Sequence, residues 1–236
     1  MKQQKGATLI VVLVILILIT LVGTLAVRSG ILGLRLATNS QVQALLLENS
    51  NAALINLENP NQIERQLAQD GMYSYFNSAA NAEDELVFCY RASQSTFFSM
   101  SQASAISRTG SKTKIGVTGY CKANQFATGR SAVLAQVYLK KNIDNVVPFA
   151  HVAQNTSIGS SSLPVVSNSI SVTVISVLPS FSSASKAEIE GCFKERAANV
   201  SRCFEDLNIP YNTQRADYVV GGQPKLVSQL NSISED

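Results

Sequence analysis

Several residue types that often carry catalysis or metal binding are scarce in this chain of 236 residues. It has no tryptophan and one histidine, His151, and only 15% of its residues are charged. The motifs HExxH, GxSxG and GxxxxGK[ST] are absent, as is the GxGxxG spacing of dinucleotide-binding loops. We therefore expect no catalytic site, cofactor or metal, and we expect His151 to be structural or to face solvent.

A large excess of one charge is also missing. The formal net charge is +3, which is too small to indicate a nucleic-acid partner by itself. Residues 58–236 carry 15 basic and 15 acidic side chains, so most of the chain is electrically balanced. Within that balance, residues 86–143 contain eight basic side chains and no acidic one.

This local excess suggests a basic interaction face at Arg108, Lys112, Lys114 and Lys122. Such a face would meet an acidic partner or DNA, and the sequence leaves open whether nucleic acid is bound at all. The alternative is a solvated loop whose charges are offset in space by the acidic residues at 83–85.

Neither charge nor proline interrupts the N-terminal part of the chain. Residues 6–27 are uncharged, and the first proline is Pro60. As a helix, residues 7–27 would be about 31 Å long, enough to cross the hydrocarbon layer of a membrane. Two lysines precede this stretch, so its start is expected in the cytoplasm and residues beyond Arg28 outside it. A cleaved secretory signal is disfavoured by the length of the run, whereas a plain signal anchor stays open.

The helical pattern continues beyond this membrane-length stretch. Apolar residues recur at steps of mostly three and four, with polar residues at the opposite positions. The apolar series is Ile31, Leu34, Val42, Leu45, Leu46, Ala53 and Leu57. The sequence thus predicts one helix over residues 7–57, about 77 Å long, that Asn59-Pro60 ends.

The first residues resemble a known processing signal. A basic leader of six residues ends in Gly6, and Ala7-Thr8-Leu9-Ile10 and the apolar helix follow. This pattern resembles the class III signal of type IV prepilins, and the segment from Gly6 to Leu54 is similar to the N-terminal region of PilX-type minor pilins. The resemblance implies cleavage between Gly6 and Ala7 by the prepilin peptidase. It also implies methylation of the new Ala7 amine and insertion of the helix into a helical bundle.

One position departs from the pattern of that family. Most pilins carry glutamate at the fifth mature position, where this chain has Val11. In the family that carboxylate neutralises the terminal amine of the subunit ahead, because a bare charge in an apolar bundle is costly. GspK-type pseudopilins of type II secretion also lack the glutamate and are placed at the tip. The resemblance thus implies a minor, tip-proximal subunit, unless valine is tolerated wherever the subunit sits.

Short strands and one helix are expected after Pro60. We predict strands at residues 85–91, 131–141 and 169–177, a serine- and threonine-rich loop at 93–114, a helix near 185–207 and a last strand that begins at Ala216 and is ended by Gly221-Gly222. The predicted fold class is α+β and pilin-like, with a long N-terminal helix packed against the antiparallel sheet of a head. The predicted parts are a leader (1–6), a helix (7–57) and an exported head (58–236).

Four cysteines follow the membrane-length stretch: Cys89, Cys121, Cys192 and Cys203. An even number in an exported region indicates two disulfides, and the alternative is four buried thiols. In one unbroken helix Cys192 and Cys203 would lie about 16 Å apart, whereas a disulfide needs Cα atoms within about 7 Å. Either the helix breaks near residues 199–201 or both cysteines pair elsewhere.

The resemblance decides between these pairings. Pilins often staple a C-terminal loop, which implies the break and a Cys192–Cys203 bridge. We pair Cys89 with Cys121 as well, which joins a strand to the end of the serine-rich loop.

The resemblance implies a minor type IV pilin that helps prime pilus assembly and supports pilus-dependent adhesion, motility or DNA uptake. It implies a single-pass protein of the bacterial inner membrane that moves into the pilus. The implied partners are other minor pilins, the major pilin, a PilY-type tip adhesin, the prepilin peptidase and the inner-membrane assembly platform. Two alternatives are a type II secretion pseudopilin and a signal-anchored periplasmic binding protein, which would keep residues 1–6.

Overall fold

The chain forms a long helix followed by an α+β head. A computed structural model describes residues 7–59, 71–94, 98–108, 113–116, 118–129, 132–142 and 169–219. The chain divides into two compact units, one ending at Ala44 and the other beginning at Leu45. The leader at 1–6, His151 and the glycine pair at 221–222 lie outside the described residues.

Helix α1 runs from Ala7 to Leu57, which is the predicted range. Within the described residues the head has six strands in one antiparallel sheet, in the order β3-β2-β1-β4-β5-β6. The strands are β1 (Glu85–Tyr90), β2 (Ser104–Ile106), β3 (Thr113–Ile115), β4 (Leu134–Asn142), β5 (Ser169–Val177) and β6 (Tyr211–Val219). Helices α2 (Lys186–Phe193) and α3 (Ala197–Asp206) lie between β5 and β6 along the chain. The predicted α+β, pilin-like fold class is confirmed.

The last turns of α1 are buried against one face of the sheet. Leu46 and Ala53 have no exposed surface, and Leu57 is 1% exposed. Ala53 and Leu57 belong to an apolar cluster with alternate residues of the central strands, among them Phe88 and Val137. Because each buried leucine side chain contributes about 1.5–3 kcal/mol, this packing fixes the end of the helix to the head.

Two polar contacts fix the position of the end of α1 along the sheet, in addition to this apolar packing. The buried Ser50 hydroxyl donates to Ser176 of β5 at 2.8 Å. The Tyr218 hydroxyl donates to the Glu58 carboxylate, just beyond the helix, also at 2.8 Å. Burial, together with this bond, raises the pKa of Tyr218 above its ordinary value of 10.0, so the phenol stays protonated and keeps donating.

Helices α2 and α3 cover the opposite face of the sheet. Leu86 and Phe88 of β1 join the cluster under α1, whereas Val87 packs in a second cluster with Phe193 of α2 and Phe204 of α3. Every residue of β1 is therefore buried. Because both faces of the sheet are covered, consecutive residues of its central strands are apolar even though they point to opposite faces.

Several predicted strand boundaries are wrong. Strand β4 begins at Leu134 rather than at residue 131, β1 ends at Tyr90, and β6 begins at Tyr211, five residues before the predicted start. The predicted loop at 93–114 contains β2 and the first residues of β3. Strand β2 has only three residues, too few for alternation to be recognised, and its buried Ser104 hydroxyl accepts a hydrogen bond from the Gly119 amide at 3.0 Å.

The predicted helix near 185–207 is two helices, and its break is not at 199–201. Ser185 begins α2 with a capping box that Glu188 completes, and α2 ends at Phe193. Arg196 has extended backbone dihedrals, and α3 begins at Ala197. The break lies here because the Glu85 carboxylate of β1 accepts from the Ala197 amide at 2.9 Å and from Arg196 Nε at 3.0 Å. A carboxylate at this place caps the start of α3.

Both disulfides join the cysteines that are nearest in sequence. Cys89 and Cys121 are linked with their Cα atoms 4.8 Å apart. Cys192 of α2 and Cys203 of α3 are linked across the helix break, with Cα atoms 5.6 Å apart. The turn at 194–196 thus brings together two cysteines that one continuous helix would hold apart.

Truncating a buried residue at the end of α1 should destabilise the head strongly. We expect Leu57→Ala to lower the free energy of unfolding by about 2–5 kcal/mol, because it leaves a cavity under the sheet. The control is Ile55→Ala two residues away, since Ile55 is 69% exposed and its loss should change stability by about 0.5 kcal/mol or less. Near-UV circular dichroism of the tyrosines during denaturant titration measures both, and equal effects would contradict the packing.

Neutralising the carboxylate at the helix break should also destabilise the head. We expect Glu85→Gln to cost about 3 kcal/mol, because Arg196 would stay largely buried without its charged partner. The matched control is Glu83→Gln, which breaks an exposed pair with Arg108 and should cost about 1 kcal/mol or less. The same denaturant titration compares them, and a larger loss for the Glu83 variant would refute this account.

Candidate functional site

The first part of α1 is apolar, and its large side chains are exposed in the part of the chain that the structure describes. From Leu9 to Leu36 the large apolar side chains are between 48% and 70% exposed. Among the described residues, α1 is the one helix long and apolar enough to cross a membrane, judged by length and composition alone. Exposed apolar surface costs about 25 cal/mol per Å², so this stretch requires lipid or other protein around it. We call residues 7–27 the anchor segment.

Two of the three threonine hydroxyls of the anchor segment are hydrogen-bonded within the helix. Thr20 Oγ1 donates to the Ile17 carbonyl at 2.9 Å, and Thr24 Oγ1 donates to the Leu21 carbonyl at 2.8 Å. A hydroxyl bonded to its own helix needs no water. The segment can therefore enter hydrocarbon or a dry helix bundle without leaving these groups unpaired.

Small residues lie along one face at the end of the anchor segment and beyond it. Gly23, Ala26, Gly30 and Gly33 follow one another at steps of three and four residues, which places them on the same side of a helix. Apart from the adjacent backbone of the helix itself, no heavy atom of the described residues lies within 4 Å of where a Cβ would stand at the three glycines. The helix backbone is thus open on this face to the close approach of another helix.

The predicted processing residues lie at the start of this helix. Gly6 is outside the described residues, and Ala7 is the first residue of α1. Val11 is 55% exposed in the first turns of the helix. Arg28 is the first charged residue after the start of α1, so the described helix offers no carboxylate near its N-terminus.

The acidic residues at 83–85 are each engaged in a contact within the head. Glu83 forms an ion pair with Arg108 at 2.9 Å, and Glu85 pairs with Arg196 at 3.0 Å. Asp84 accepts from the Tyr75 hydroxyl at 2.7 Å. Burial, followed by this bond and the charge of Asp84, raises the pKa of Tyr75.

The predicted basic face is only partly described by the structure. Arg108 is offset by Glu83, as the alternative interpretation of this region expected. Lys112 and the side chain of Lys114 lie outside the described residues. Lys122 is exposed and lines a cavity of about 310 Å³ beside Cys121, so it lies in a different setting from Arg108.

This cavity brings together charges that sequence reasoning did not group. Arg91 follows β1, Lys122 follows Cys121, and both Glu190 and Lys194 belong to α2 or its end. Arg91 and Lys122 were among the eight basic residues at 86–143, but nothing in the sequence indicated that α2 would add a third cation beside them. Within the described residues no three histidine, cysteine, aspartate or glutamate side chains are grouped to hold a metal ion.

Comparison with known proteins identifies no family, so the functional assignment rests on these structural features. The chain matches no protein-family model, no curated protein and no solved structure.

Proposed function

We propose that this chain is a minor, tip-proximal type IV pilin that helps prime pilus assembly. The observation that carries the proposal is the division of α1 between two environments. Its anchor segment is apolar on all sides and exposed. Its last turns are instead buried in a head that contains two disulfides, as is typical of exported proteins. A filament subunit needs both properties in one helix.

The anchor segment supports membrane storage followed by transfer into a filament. Its length covers a hydrocarbon layer, and the hydroxyls of Thr20 and Thr24 are bonded within the helix. The open face at Gly23, Gly30 and Gly33 suits tight packing against neighbouring helices. We place the protein in the bacterial inner membrane with its N-terminus in the cytoplasm, and afterwards in the pilus.

The disulfides support export of the head. Both cystines lie beyond the anchor segment, and disulfides persist in oxidising compartments such as the periplasm. The partners proposed for the helix are other minor pilins and the major pilin, and those proposed for the head are sibling subunits and a PilY-type tip adhesin. The prepilin peptidase and the assembly platform would act on the anchored precursor.

The processed N-terminus provides a direct test. We expect protein extracted from membranes to begin at Ala7 with a methylated amine, because the six-residue leader resembles the class III signal. Gly6→Val should block cleavage and leave the initiator methionine in place. Intact-mass and N-terminal peptide mass spectrometry distinguish the two forms. Wild-type protein that keeps residues 1–6 in cells with an active prepilin peptidase would instead identify a plain signal-anchored protein.

The tip position is tested at Val11. If no subunit lies ahead, Val11→Glu places a carboxylate in an apolar bundle with no amine to pair, at a cost of about 2–3 kcal/mol. In a deletion strain we expect this variant to restore several-fold fewer surface pili than wild type, whereas Val11→Leu restores the wild-type number. Immunoblots of processed protein in the membrane separate this effect from poor insertion.

Three other outcomes would change the assignment. Pili equal to or above wild-type number with Val11→Glu would place the subunit within the filament. Complementation that restores protein secretion but no twitching would favour the type II pseudopilin. A deletion that affects neither process would reject both pilin-type functions.

A further inference from the structure

The cavity beside the Cys89–Cys121 disulfide is a binding site that the proposed assembly function does not use. We propose that it binds a small hydroxylated carboxylic acid, of the sugar-acid class, with the carboxylate held by Arg91, Lys122 and Lys194. The cavity has a volume of about 310 Å³ and is lined by these three cations and one acid, Glu190. A ligand there would be recognised by the head, independently of helix packing.

Charge at the cavity is left uncompensated by the protein. Glu190 is its one acidic lining residue, and that carboxylate accepts from the Ala123 amide at 3.0 Å. No ion pair joins Glu190 to a lining cation within the described part of the chain. Three cations against one carboxylate that is hydrogen-bonded elsewhere leave a net positive potential in a confined space, which attracts an anion.

Arg91 supplies the most specific feature of the site. Its Nε atom is buried and has no hydrogen-bond partner among the described residues. A buried N–H donor without an acceptor is unfavourable, and an arginine fork matches the two oxygens of a carboxylate. A carboxylate in the cavity would pair with the guanidinium charge of Arg91, and the two lysines would add charge from the other walls.

The uncharged residues that line the cavity, and its volume, indicate the chemical nature of the rest of the ligand. Gln102, Gln125 and Thr118 line the cavity with amide and hydroxyl groups, and Tyr120 adds an aromatic ring. Such groups exchange hydrogen bonds with several hydroxyls of one small molecule. The volume accommodates a monosaccharide-sized acid, at the lower end of the range for small-molecule sites of about 300–1,000 Å³.

The walls of the cavity are fixed before any ligand arrives. The Cys121 amide donates to the buried Gln136 side chain at 2.8 Å, and the disulfide ties the same residue to β1. At Gly119 a Cβ would clash with the Val87 carbonyl oxygen, so glycine is required for the loop backbone to lie against β1. A preorganised site loses less free energy when it binds a ligand.

Binding is tested with the full chain in detergent, with glucuronate as the probe, by titration calorimetry and saturation-transfer NMR. We expect glucuronate to bind and the neutral analogue glucose to show no binding at concentrations up to about 10 mM. Arg91→Gln should weaken binding about tenfold or more, and Lys194→Gln several-fold. Lys186→Gln is the matched control, because Lys186 is an exposed lysine of the same helix and does not line the cavity.

Several results would overturn the proposal. They are the absence of glucuronate binding by wild type, equal binding of glucose, or equal loss in the Lys186 and Lys194 variants. Binding of inorganic phosphate or duplex DNA in place of glucuronate would reject the sugar-acid class. If Arg91→Gln alters the near-UV spectrum, the exposed Lys194 variant carries the test. Pilus number, measured in parallel, keeps a failure here distinct from a failure of the assembly function.

Discussion

The burial of the last turns of α1 under the sheet is the interaction on which the rest of this protein depends. Leu46, Ala53 and Leu57 give those turns an apolar stripe that the head covers. The anchor segment has no stripe, because it is apolar on every side, and its side chains are exposed in the part of the chain that the structure describes. One helix therefore belongs to a protein core at one end and to an environment outside the chain at the other.

On the opposite face of the sheet, Glu85 makes the contacts on which the two helices there depend. Its carboxylate accepts from Arg196 and from the Ala197 amide, and so fixes where one helix ends and the next begins. The position of that turn decides whether Cys192 and Cys203 can meet. The disulfide between these two cysteines, which are 11 residues apart in sequence, thus depends on a residue of the first strand. The stapled loop and the sheet are consequently one cooperative structure rather than a separable attachment.

The sequence predicted those parts of the fold whose signal is local and long. The 51 residues of α1 and the nine of β5 repeat their patterns often enough to define both type and boundaries. The helix break was misplaced because its cause, Glu85, lies 111 residues before Arg196. The two parts of the candidate site also differ in how far the sequence could predict them. The anchor segment was evident from composition, whereas the cavity joins the residue after β1, residues of a loop and residues of α2 or its end that no pattern connects.

The described charges of the head lie in two different settings. Arg108 of the basic stretch pairs with Glu83, and Arg196, which lies outside that stretch, pairs with Glu85. Arg91 and Lys122 line a partly open cavity rather than a flat surface. An extended polyanion needs a row of accessible charges. A few cations around a cavity instead favour one small anion, so this cavity suits a small anion better than a nucleic-acid backbone.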